Sequence, residues 1–142
     1  MAFENPPREE IKRILQQAGT IAVVGLSDNP AKTSHMVSAA MQKKGYRIIP
    51  VNPNADTVLG EKSYASLKDI PEPVDIVDVF RRPEFTPPIA EEAVAIGAKV
   101  LWLQLGIVNE EAADIAAKGG LTVIMDRCIK VEDSILLPEG KK

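Results

Sequence analysis

The sequence predicts one α/β domain with a doubly wound, mostly parallel sheet and helices on both faces, and three observations carry that expectation. Short β-branched runs such as Thr20-Ile21-Ala22-Val23-Val24 show no polar alternation, which is the pattern of strands covered on both sides. These runs alternate along the chain with segments of helical periodicity, and such crossovers join parallel strands through right-handed connections. The 142 residues suit a single core, since a fold of this size buries roughly two-thirds of the surface its unfolded chain exposes.

In chain order, residues 8–18 read as an amphipathic helix, with Ile11, Ile14, Leu15 and Ala18 on one side, Pro6-Pro7 before it and Gly19 after it. The first strand, 20–24, ends at Gly25. A second helix over 30–44 opens at Asn29-Pro30, turns Met36, Val37, Ala40, Met41 and Lys44 inward, and stops at Gly45. Residues 46–51 form the second strand, which Asn52-Pro53 ends, and 57–60 form a short edge strand before a turn-rich stretch through Pro71 and Pro73. The fourth strand is 74–80. Thr86 is placed to cap a helix with Pro87 in its first turn and Ile89, Ala93 and Ile96 on its inner face, and Gly97 closes it. The fifth strand is 99–103. Asn109 caps a helix through Lys118 with Glu110 and Glu111 in its first turn, and Gly119-Gly120 breaks it before the last strand at 121–125. Residues 126–140 carry no assigned element, and Lys141-Lys142 read as a short C-terminal tail. The expected strand order is third, second, first, fourth, fifth, sixth, a Rossmann-like arrangement.

Composition narrows the function. A formal charge of -3 without a basic stripe disfavours nucleic-acid binding, because a phosphate track demands clustered cations. The apolar runs are too short for a bilayer, and no basic leader with an apolar stretch opens the chain, so a soluble cytoplasmic protein is expected. One cysteine, Cys128, forms no internal disulfide, which agrees with a reducing compartment.

In an open parallel sheet the ligand crevice lies beyond the carboxyl ends of the strands, where their order reverses. Four segments reach that end: 25–34, Asn52-Pro53, 80–82 and 104–109. The first joins a strand to a helix whose unpaired N–H groups form an anion seat, with Gly25 for close backbone approach, hydroxyls at Ser27, Thr33 and Ser34, and a charge at Lys32. It carries neither G-x-G-x-x-G nor G-x-x-x-x-G-K-[ST], which disfavours a nucleoside triphosphatase. The second strand ends Val51-Asn52-Pro53 where a dinucleotide dehydrogenase presents an acidic residue to ribose, which weakens a hydride-transfer reading.

Gly25-Leu26-Ser27, Lys32 with Ser34, Gly45-Tyr46, Val51-Asn52-Pro53, Val79-Phe80-Arg81, Trp102-Leu103-Gln104-Leu105-Gly106 and Asp126-Arg127-Cys128 together resemble the small stand-alone CoA-binding proteins. That family is similar to the CoA-binding domain of the succinyl-CoA synthetase α subunit, and the likeness runs from about Ile11 to Leu136. The resemblance implies coenzyme A or an acyl-CoA as ligand. It places Gly25, Ser27, Lys32 and Ser34 at the diphosphate, Asn52 and Pro53 at the adenosine, and Phe80 and Arg81 along the cleft, and Leu26 and His35 are counted with the binding residues of the same loop. The synthetases' phosphorylated histidine domain and partner chain have no room here.

Individual residues carry less. His35, the single histidine, stands near the proposed phosphate without a carboxylate or cysteine neighbour in its motif, which makes it a binding residue rather than a catalyst. Strand alternation aims only one of Arg81 and Arg82 into the cleft, and the resemblance, which places Phe80-Arg81 at the pocket, implies that it is Arg81. Gln104 and Gly106 are expected to offer amides to the pantetheine arm, and Trp102 suits the core equally well. Cys128 beside Arg127 is open to a redox role, although free cysteines are most often buried and inert. Asp75, Asp78 and Asp126 read as structural, and no metal site is proposed. The expectation is a binding protein without turnover. Its alternatives are an NAD-dependent oxidoreductase or redox sensor, or a CoA-sensing subunit of a partner enzyme. Oligomeric state stays open.

Overall fold

The computed structural model describes residues 3–140, so the expectation for Lys141-Lys142 lies outside the described residues. Seven strands are present: β1 (Thr20–Val24), β2 (Arg47–Val51), β3 (Thr57–Val58), β4 (Glu61–Lys62), β5 (Ile76–Val79), β6 (Val100–Leu103) and β7 (Thr122–Ile124). The helices are α1 (Arg8–Gln17), α2 (Thr33–Lys43), α3 (Thr86–Ala95), α4 (Glu110–Lys118) and α5 (Ile129–Leu136). Five strands make one sheet in the order β2-β1-β5-β6-β7, every neighbouring pair parallel. Val24 lies opposite both Val51 and Val79, and Val79 opposite Leu103, so four strands end level and form one rim.

Strand alternation sorts the side chains into two cores, one on each face. Ala22, Val24, Val77, Val79, Leu101 and Leu103 meet α3 and α4, whose alanines Ala90, Ala93, Ala112, Ala113 and Ala116 let those helices approach closely. Ile21, Val23, Ile76, Trp102 and Ile124 meet Ile11 and Leu15 of α1, Val37 and Met41 of α2, and Ile129 of α5. No helix among the described residues is long and apolar enough to cross a membrane.

Four elements differ from the sequence expectation. Residues 57–60 do not extend the main sheet: β3 pairs antiparallel with β4 in a separate hairpin, and Tyr64 takes the place beside β2 through a parallel bridge to Val51. Helix α2 starts at Thr33 rather than residue 30, because side-chain bonds inside the preceding loop hold Lys32 extended; Met36, expected inward, is 54% exposed, while Ser34 and Ser38 are buried. Thr86 does not cap α3: it is the first helical residue, and its hydroxyl donates to the Pro83 carbonyl at 2.7 Å. Residues 126–140, for which no element is expected, contain α5, which packs against α1 and α2.

Helix α5 docks through buried polar groups. Tyr46 donates its hydroxyl to Asp133 at 2.6 Å, with the Leu15 carbonyl oxygen also 3.0 Å away, and Lys44 donates to Asp133 at 2.8 Å. Burial, and then the Asp133 carboxylate, push the Tyr46 hydroxyl pKa well above the ordinary tyrosine value.

Candidate functional site

The chain leaves β1 toward α2 on one face of the sheet and leaves β5 toward α3 on the other, so a crevice opens between the two strand ends. Gly25 sits at its base. Its N–H donates to the Val51 carbonyl at 3.0 Å, and its φ of +88° with a virtual Cβ 2.5 Å from the Phe80 carbonyl oxygen requires glycine there.

The loop from Gly25 to α2 is stitched by its own side chains. Ser27 N–H donates to Ser34 Oγ at 3.0 Å, Asn29 N–H to Ser27 Oγ at 3.0 Å, and Ala31 N–H to Asn29 Oδ1 at 3.0 Å. His35 Nδ1 lies 2.9 Å from the Ser27 carbonyl, and because a carbonyl only accepts, Nδ1 carries the hydrogen. Asn52 fastens the loop to the end of β2: Nδ2 donates to the Leu26 carbonyl at 2.9 Å, and Oδ1 accepts from Asn54 N–H at 2.8 Å. The stitching leaves the N–H groups of Leu26, Asp28, Thr33 and Ser34 without a partner among the described residues. The last two are the first amides of α2, where the helix dipole favours negative charge. Lys32 is exposed beside them, Leu26 is fully buried under the loop, and Pro53 is exposed on the adjoining turn.

Next to the base of this loop, where Arg81 approaches Gly25, opens a cleft of about 280 Å³ to which residues 25–34 contribute no lining. Val24, Val51, Leu67 and Ile89 supply apolar lining, while Arg81, Phe85 and Glu92 supply charge and an aromatic ring. Arg81 spans loop and cleft: its Cδ would lie 3.1 Å from a Cβ on Gly25, and its guanidinium sits 5.4 Å from the centre of the Phe85 ring. Phe80, next to it, is half-buried against the opposite core. Arg82 is exposed and does not line the cleft.

Gln104 and Gly106 are placed differently from expectation. Gln104 is buried, with Nε2 donating to Asp78 and Oε1 accepting from Ile129 N–H at 3.3 Å, so its amide orients the start of α5. Gly106 N–H donates to Asp126 at 2.7 Å. Both amides thus have protein partners, because the turn after β6 closes onto the loop after β7. Trp102 is fully buried with Nε1 donating to the Arg127 carbonyl at 2.9 Å, a core position. Asn109 caps α4 by accepting from Ala112 N–H at 2.9 Å and also donates to the Pro83 carbonyl. Cys128 is half-buried directly before α5.

Asp78 lies buried in the middle of the sheet, and burial pushes its carboxyl pKa up from 3.8 to about 7, against the opposing pull of the Gln104 hydrogen bond. Asp75 goes the other way: burial alone would raise it, but N–H donors from Gly19 and Thr20 and the Lys99 ammonium outweigh burial and hold it below the ordinary value. Among the described residues no cluster of three or more His, Cys, Asp or Glu is placed to hold a metal.

Sequence reasoning missed Phe85 and Glu92. Their signal was available: Phe85, Ile89 and Glu92 recur at i, i+4 and i+7, the spacing of one helical face, and all three line the cleft.

Comparison with known proteins agrees with this fold. The family model for the CoA binding domain matches residues 19–134. An uncharacterized protein of Bacillus subtilis (strain 168), YneT, is 57% identical over 94% of this chain and 98% of its own length. The solved structure of a hypothetical protein from Pyrococcus horikoshii OT3 superposes with a TM-score of 0.90 at 37% identity, covering 96% of this chain and 99% of that one. The α subunit of the ADP-forming acetate–CoA ligase II of Pyrococcus furiosus is 29% identical over 78% of this chain, which spans only 27% of that subunit.

Proposed function

This chain belongs to the CoA binding domain family, and we propose that it binds coenzyme A or an acyl-CoA in the crevice between β1 and β5 without turning the ligand over itself. One observation carries the reading: four backbone N–H groups left unpartnered around Gly25 stand beside an arginine with no ion-pair partner among the described residues. Amides of buried residues are normally paired, so the unpaired N–H groups of buried Leu26 and Ser34, with those of exposed Asp28 and Thr33 beside them, mark a place where an acceptor belongs. The residues fit a diphosphate. Gly25 gives it backbone access, the amides of Leu26, Asp28, Thr33 and Ser34 are free to donate, and Lys32 and Arg81 bring positive charge. His35 and Asn52 hold the loop in shape.

Bound CoA supplies a thiol that carries acyl groups as thioesters. The chain's own part is to bind and orient, since its single histidine is tied to a backbone carbonyl rather than paired with a nucleophile or carboxylate. Titration calorimetry on ligand-free protein with CoA, 3′-dephospho-CoA, acetyl-CoA and NAD tests the reading. Saturable binding of CoA that NAD fails to displace supports it; silence toward all three CoA compounds at millimolar concentration removes it.

A further inference from the structure

The cleft beside the anion seat holds two opposite charges that do not neutralise each other. Arg81 and Glu92 line the same 280 Å³ space, yet no ion pair within 4 Å joins them, and Glu92 has no hydrogen-bond or ion-pair partner among the described residues. A half-buried carboxylate in an apolar-floored cleft, left without a donor, points to an occupant that brings one. Arg81, which lies over the Phe85 ring and reaches Gly25 at the base of the loop, suits an occupant that is anionic at its other end.

We infer that Glu92 reads the base of the bound nucleotide, accepting a hydrogen bond from the exocyclic amine of adenine while the ring lies on the apolar floor between Phe85 and Leu67. This rests on the proposed CoA reading and deepens it by assigning the selectivity for the base. A carboxylate only accepts, so it favours a 6-amino purine and opposes a 6-oxo purine, whose oxygen also only accepts. Glutamate stands six residues after the start of α3 and helical side chains lean toward the N-terminus, which carries it back over the cleft.

The experiment compares CoA with its hypoxanthine analogue by titration calorimetry, in the wild type and in Glu92→Gln. Wild type is expected to bind CoA at least about tenfold more tightly than the analogue, a preference worth about one hydrogen bond to a charged group. In Glu92→Gln the preference is expected to collapse to within about threefold, because an amide both donates and accepts. A wild-type ratio within threefold, whatever the variant does, overturns the inference while leaving CoA binding in place. An unchanged preference in a folded variant overturns it equally. Failure of wild type to bind either compound overturns both the inference and the reading beneath it.

Discussion

Replacing Gly25 with alanine separates backbone conformation from close approach, because the fold supplies its own control. Gly25 has φ +88° and Gly120 has φ +91°, but a Cβ on Gly25 would lie 2.5 Å from the Phe80 carbonyl oxygen, whereas one on Gly120 meets nothing within 4 Å. Both substitutions force an L-residue into the left-handed region, at about 1–2 kcal/mol each. Only Gly25→Ala adds a clash, and since ordinary C···O contacts are about 3.3–3.6 Å, the carbonyl must retreat by roughly 1 Å. That carbonyl belongs to the segment joined to β1 by the Phe80 N–H bond to Val24 at 2.9 Å, so the retreat strains the sheet at its switch point. Overpacking of this kind costs about 1–3 kcal/mol more. For a chain of this size, at about 2–4 °C per kcal/mol, thermal unfolding is expected to fall by roughly 4–20 °C in Gly25→Ala and by roughly 2–8 °C in Gly120→Ala. The decisive assay pairs those melts with CoA calorimetry at a temperature where both variants are folded. Gly25→Ala is expected to lose at least about tenfold in affinity as Phe80 and Arg81 shift, and Gly120→Ala none. Equal melting temperatures for the two variants would refute the steric argument, and undiminished affinity in Gly25→Ala would refute the placement of the ligand.

Asp78 makes stability depend on pH. Its folded pKa of about 7 stands above the unfolded value near 3.8, so its stabilising contribution is complete below about pH 3.8 and disappears as pH rises through 7; the difference amounts to roughly 4 kcal/mol. Asp78→Asn is expected to gain stability over wild type in urea melts at pH 8 and to lose that advantage at pH 4; a gain independent of pH would contradict the assignment. Asn109→Ala removes the α4 cap and the tie to Pro83, at about 1–2 kcal/mol by chemical denaturation, with CoA affinity unchanged. Arg81→Ala is expected to weaken CoA by about 10–100-fold, as loss of a charge-assisted hydrogen bond does, and to flatten the salt dependence of binding. Tyr46→Phe leaves a buried Asp133 oxygen short of a donor and should cost about 1–3 kcal/mol in thermal melts.

The parts of the molecule that were legible in the sequence are those whose burial follows a local rule. Residues 20–24 are a strand as expected, and Asn109 caps α4 where its residue type and the following glutamates place it, because unbroken β-branched runs and capping side chains act within a few residues. Helix α5 was invisible because its pattern runs backward: Glu132 and Asp133 are buried, while Val131 and Ile135 are 49% and 52% exposed. Hydrophobic periodicity assigns the inner face to the apolar residues, and here Ile129 shares the inner face with two carboxylates that Lys44, Tyr46 and Arg8 make tolerable from 87 to 124 positions away. The same distinction divides the site. The loop proposed to take the phosphate could be singled out because glycine, hydroxyls and a helix start are contiguous, whereas Gln104 was assigned outward since nothing nearby shows that Asp78, 26 positions earlier, claims its amide. Glu92 escaped for the converse reason: an acidic residue near the end of a helix is ordinarily solvated. Only the meeting of α3 with the ends of β1 and β2 shows that its carboxylate shares a cleft with Arg81. Long-range pairing thus hides a residue from sequence reasoning whether it supplies the partner, as at Gln104, or withholds it, as at Glu92.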